Sequence, residues 1–129
     1  AHPVSAAVGL AVLKLYEDGL LDNGRTMGAR LIAGLESLKD HPLVGETRGK
    51  GLVAALEIVQ DKQTNSRFPA GLQAGMTCRE FCFNNGLVMR AVGDTMIISP
   101  PLVITEEQVD ELVNLARLSL DLTAAKLKG

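Results

Sequence analysis

Val44-Gly45-Glu46-Thr47-Arg48-Gly49-Lys50-Gly51-Leu52-Val53-Ala54-Ala55-Leu56-Glu57-Ile58-Val59 is the stretch in which the chain changes period. Upstream, apolar residues recur at helical spacing. Here Val44 to Arg48 and Leu52 to Val59 read as two strands around a Gly49-Lys50-Gly51 turn. Gly49 to Ala54 also spell the dinucleotide fingerprint G-x-G-x-x-A. That fingerprint cradles a pyrophosphate only where it opens a helix, and Leu52 onward reads as strand. The glycines therefore serve a tight turn.

Moving toward the N-terminus, Met27, Leu31, Leu35 and Leu38 form the apolar stripe of a helix. Asp40-His41-Pro42 ends it, because the residue before proline avoids helical backbone. An earlier helix precedes the Glu17-Asp18-Gly19 break, with Pro3 at its first position. Val4 to Leu13 is apolar or small at nearly every residue, the pattern of a buried helix. A chain of 129 residues has little with which to cover it, so a missing partner is expected. The opening Ala1-His2-Pro3, without Met or a leader pattern, reads as the start of a piece of a longer protein.

Toward the C-terminus, Asp61 to Pro69 is a polar loop. Leu72 to Asn85 follows as a third helix, closed by Gly86. Leu87 to Arg90 and Thr95 to Ser99 read as a hairpin about Gly93-Asp94. Pro100-Pro101 forces an extended exit. Thr105 and Gln108 then form a capping box for a last helix whose stripe is Val109, Leu112, Val113, Ala116 and Leu120. The fold class is α+β, a small, mostly antiparallel sheet with helices packed on one side. Residues 1–129 form one domain, with no internal repeat.

Composition narrows the function. Net charge is -2 and no basic block reaches four residues, so no nucleic-acid footprint is present. Apolar runs fall short of the roughly 18 residues of a membrane span. Two cysteines make no disulfide framework, and a cytoplasmic location is expected. Aromatics are 3 % of the chain and tryptophan is absent, so aliphatic residues must build the core.

Cys78 and Cys82 share one helix face, and His2 and His41 are the histidines that could join them around a metal. No second Cys/His pair has finger-like spacing, so core packing is the better reading. No Gly-x-Ser-x-Gly elbow is present. The six lysines sit in helices, turns or the tail, and none stands out as a Schiff-base amine. Arg90 differs. It ends the strand Leu87-Val88-Met89-Arg90 beside hydrophobic residues, where a guanidinium needs an anion. It either binds a ligand, or reaches solvent or pairs with Asp94.

Several segments, in order, resemble the C-terminal part of class III aminotransferases, a branch of the fold-type-I pyridoxal-phosphate enzymes. They are Ala1 to Val4, Asp40 to Leu52, Asn85 to Arg90 and Ser99 to Thr105. Gly86 to Thr105 is most similar to the ω-amino acid and amine:pyruvate group, and within it to the putrescine (polyamine)–pyruvate branch. The resemblance implies a homodimer that moves an amino group from an amine or ω-amino acid, putrescine or another polyamine among them, to pyruvate. It implies pyridoxal 5'-phosphate as cofactor. The Schiff-base lysine, the aspartate on the pyridine nitrogen and the stacking aromatic then belong to an upstream large domain. The phosphate-binding threonine belongs just before Ala1. Residues 1–39 would link to that domain, and this chain alone would be inactive. Arg90 matches the arginine that binds the substrate carboxylate. Ile98 stands where the ornithine branch has its arginine, and Arg48 matches an Arg-Gly pair read as structural. The alternative is a free-standing small-molecule-binding or regulatory α+β module.

Overall fold

Pro3 opens the first helix, α1 (Pro3–Leu15), where its missing N–H removes no bond, and the His2 ring accepts the Ser5 N–H at 3.5 Å. The computed structural model describes residues 2–128; Ala1, which begins the Ala-His-Pro motif, lies outside them, as does Gly129. A π-helical turn, Tyr16–Leu20, follows, with Gly19 at φ 104°, a backbone that glycine adopts without a Cβ clash. The predicted break is therefore real. Beyond it α2 (Leu21–Glu36) buries Met27, Leu31 and Leu35, and a 3-10 turn, Ser37–Asp40, adds Leu38. The buried state expected of α1 is not met within this chain. None of its residues is buried, Leu10 is 69 % exposed, and α1 packs chiefly against the turn that follows it.

The sheet has four antiparallel strands in the order β1-β2-β4-β3. They are β1 (Val44–Lys50), β2 (Val53–Ile58), β3 (Arg90–Val92) and β4 (Thr95–Ile98). Gly51, at φ 58°, turns β1 into β2, and a bulge between Val44 and Glu46 shifts the register there. The strand predicted over Leu87 to Arg90 is corrected: Arg90 begins a strand, and does not end one. The Leu87 N–H is taken by the Cys82 carbonyl at 2.9 Å, at the end of the preceding helix, so it does not enter the sheet ladder.

Helices cover one face of the sheet. Thr47, Leu56 and Met96 lie side by side on it and are buried. There α2 packs on β1 and β2, and α3 (Ala74–Asn84) packs on β3 and β4. The last helix, α4 (Glu106–Lys128), lies across α2 and α3 with Val109, Leu112, Ala116 and Leu120 inward. Its start is the predicted capping box, with the Thr105 hydroxyl on the Gln108 N–H at 3.3 Å and the Gln108 carbonyl on the Thr105 N–H at 3.0 Å. Arg30 on α2 forks onto Asp110 at 2.7 and 2.8 Å. Cys78 and Cys82 are buried against α4, free thiols in the core, as the packing reading expected. The neighbouring Cys82, together with burial, pushes the Cys78 thiol well up, so it stays protonated. No helix among the described residues is long and apolar enough to cross a membrane.

Candidate functional site

Sheet register assembles one row across all four strands. Arg48 on β1 lies opposite Ala55 on β2, Ala55 opposite Ile97 on β4, and Ile97 opposite Arg90 on β3. Residues paired in this way share a face. The neighbouring row of Thr47, Leu56, Met96 and Ala91 points at the helices, so the Arg48–Arg90 row points at the uncovered side. Three strand spacings separate the two arginines, roughly 14 Å between backbones. Between them small and aliphatic side chains floor an open trough of about 370 Å³, walled by Arg48, Gly49, Val53, Ala55, Thr95 and Ile97. Arg90 stands past Ile97, on the edge strand.

The two arginines differ in what they meet. Arg48 donates to the Glu57 carboxylate at 2.5 Å and comes within 3.8 Å of Glu46. Glu57 also accepts the Thr95 hydroxyl at 2.8 Å and has Arg67 at 3.8 Å. Partial burial works to raise the Glu57 pKa, but the hydrogen bonds from Arg48 and Thr95 outweigh it and hold the carboxyl below the usual glutamate range. Arg48 is thus neutralised, in keeping with its structural reading. Arg90 is exposed and has no ion pair or side-chain hydrogen bond among the described residues. Among the described residues Arg90 does not pair with Asp94, whose Oδ1 accepts the Gly75 N–H at 3.0 Å; its side chain reaches solvent.

The Glu57 cluster escaped the sequence reading. Its one trace was the alternation Val53, Ala55, Glu57, which puts an acid on the solvent side of β2. That the acid meets arginines from two other segments is decided by register. His41 is buried, its Nδ1 accepts the Leu43 N–H at 3.1 Å and its Nε2 lies 3.2 Å from Asp121. No cluster able to hold a metal ion occurs among the described residues.

The residues present do not by themselves fit pyridoxal phosphate. Lys50, the lysine that lines the trough, is solvent-exposed. Among the described residues, no buried side-chain polar atom is left unpartnered to receive a ring nitrogen or a phosphate. Among the described residues, what the face offers is the Arg90 guanidinium, without an acid partner, beside an apolar floor.

The family model for aminotransferase class-III matches residues 1–119. This chain belongs to the class III aminotransferases. Among curated class III relatives, putrescine--pyruvate aminotransferase of Pseudomonas aeruginosa is 55 % identical over 126 residues, covering 96 % of this chain and 27 % of its own length. The mitochondrial gamma aminobutyrate transaminase 1 of Solanum lycopersicum is 36 % identical over 115 residues, 88 % of this chain and 22 % of its own length. The crystal structure of the omega-transferase from Vibrio fluvialis JS17 superposes with a TM-score of 0.93 at 31 % identity, over 98 % of this chain and 30 % of that one. An omega-aminotransferase from Paracoccus denitrificans gives 0.92 at 36 % identity, over 97 % of this chain and 28 % of that one. The four-stranded α+β fold is that of these transaminases. The chain spans about a quarter of the length of the curated relatives it matches.

Proposed function

We propose that this chain is the carboxylate-recognising part of a pyridoxal-phosphate-dependent transaminase that moves an amino group from an amine or ω-amino acid, putrescine or another polyamine included, to pyruvate. The observation that carries the reading is Arg90, exposed, without an acid partner among the described residues, on an edge strand beside an apolar trough. A guanidinium is always charged and presents a planar fork that matches a carboxylate. Pyruvate has a carboxylate and a diamine has none, so one pocket must take both in turn. The aliphatic floor of Ala55 and Ile97 suits the methylene chain of a diamine donor. Likeness to the putrescine--pyruvate enzyme over nearly the whole chain supports that donor class.

On this reading the cofactor, its lysine and the phosphate-binding threonine belong to sequence outside these residues, and the chain alone is inactive. Residues 1–39 connect to the upstream large domain. There α1 carries an apolar surface for that partner, while α2 belongs to the core described above. The full enzyme is a cytoplasmic homodimer.

The test is Arg90→Ala in the full-length enzyme, with the two half-reactions followed separately by stopped flow. Charged hydrogen bonds contribute on the order of 1.5–3 kcal/mol, roughly ten- to a hundredfold in rate. The pyruvate half-reaction loses that factor in kcat/KM, and the diamine half-reaction changes far less. Arg90→Lys recovers only part of the loss, since an ammonium lacks the fork. Equal losses in both half-reactions would sink the carboxylate role.

A further inference from the structure

The segment that bears Arg90 is tied at both ends to a single helix. At the C-terminal end of α3, Gly86 at φ 84° reverses the chain and the Leu87 N–H bonds to the Cys82 carbonyl at 2.9 Å. The chain then runs back along α3 through β3, which packs against it. At the N-terminal end of α3 the hairpin turn returns, and Asp94 Oδ1 accepts the Gly75 N–H at 3.0 Å.

This second tie replaces a missing cap. The N-cap position of α3 is Gln73, in left-handed backbone at φ 46° and without a side-chain cap bond. Ordinarily a residue at that position would satisfy a first-turn N–H. Here a residue of the β3–β4 hairpin turn does so, and its negative charge faces the positive end of the helix. The fit is tight. A Cβ on Gly75 would collide with the Gly93 carbonyl oxygen, and Gly93 itself is at φ 58°. The Asp94 carbonyl also accepts the Ile58 N–H at 2.8 Å, so the same residue joins the turn to the end of β2. Asp94 thus binds helix, hairpin and central strand at one point, and Arg90 lies on the strand held between this point and Leu87.

We infer that Asp94, closed against Gly75, is a positioning residue for Arg90: it sets the height of the β3–β4 hairpin along α3, and with it the place of the guanidinium beside the trough. The inference rests on the carboxylate reading of Arg90. Asp94 touches neither substrate nor Arg90 in this role, and acts through the strand. An edge strand of three residues pairs, among the described residues, with β4 alone, so its packing on α3 and the ties at its two ends set its place.

The experiment uses the full-length holoenzyme, pyruvate and 1,4-diaminobutane as probes, and the two half-reactions measured separately. Arg90→Ala is the reference. Asp94→Ala is expected to lose about tenfold in kcat/KM with pyruvate, chiefly in KM, and at least fivefold less with the diamine (a displaced binding group, not a lost one). Asp94→Asn keeps an acceptor oxygen for the Gly75 N–H and recovers most of the loss. In the Arg90→Ala background, Asp94→Ala adds no further loss with pyruvate. If Asp94→Ala does not fold, Asp94→Ser, with a shorter acceptor, takes its place under the same expectations. Equal losses in both half-reactions from Arg90→Ala would remove the carboxylate reading itself. A selective loss from Arg90→Ala, with equal, additive or no losses from Asp94→Ala, would overturn the positioning role alone.

Discussion

Two arginines on one sheet row have opposite fates, and the difference is one carboxylate. Glu57 lies half-buried under Arg48, Thr95 and Arg67, so its charge is both desolvated and answered. Glu57→Gln keeps the shape but removes the charge that Arg48 meets. Hydrogen bonds to charged groups contribute about 1.5–3 kcal/mol, and the substitution is expected to cost that order of stability in urea denaturation. Adding Arg48→Met should cost less in the Glu57→Gln background than in the parent, since the two side chains share one interaction. The pH sign follows from the lowered pKa of Glu57. Its contribution is present above the unfolded value, about 4.3, and is lost as pH falls through the folded value. Arg90 stood out in the sequence, by its place in an apolar strand pattern and by its motif. That it meets no acid among the described residues was not legible there, because Asp94, four residues on, was an available partner, and only the folded chain sets the Asp94 carboxylate on the Gly75 N–H.

Elements that depend on local chemistry formed where the sequence placed them. Gly51 and Gly86 mark two reversals and Gly19 a kink, each with positive φ, and Thr105 with Gln108 closes the start of α4. The third strand did not follow its pattern. Leu87, Val88 and Met89 alternate like a strand, yet the first N–H goes back to α3 and the ladder begins at Arg90. The docking of α4 has a titratable point. His41 sits 5 % exposed between the 3-10 turn and β1, and faces Asp121 and Arg117 of α4 and its neighbour Asp40. Burial lowers its pKa more than Asp121 raises it, so the folded state favours neutral imidazole. The unfolded chain then binds the extra proton first, and stability falls as pH drops below about 6.5 toward the folded value. His41→Gln should flatten the pH dependence of the denaturation midpoint over that interval. An unchanged slope would assign it to the carboxylates instead.

At the scale of the whole molecule, the apolar helix α1 stands away from a well-packed domain, with Val4, Val8, Leu10 and Leu13 all more than half exposed. Contiguous apolar surface of this kind drives association. The chain of residues 1–129 alone should therefore self-associate at tens of micromolar, an order of magnitude at which exposed apolar surface aggregates. Sedimentation velocity checks this: Val8→Glu with Leu13→Glu should restore a monomer, and a monomeric parent would contradict it. The sequence by itself determined the helices, the first hairpin, the α+β class and the order of the segments, because caps, glycine turns and apolar period act over a few residues. Through its motifs it also identified the family that the comparisons then showed. Tertiary structure alone decided which of the two arginines on the row meets an acid among the described residues, what Asp94 holds and which face of the sheet is bare. Those facts depend on register and on contacts between segments tens of residues apart, as when Glu57 meets Thr95, and no local pattern encodes such a meeting.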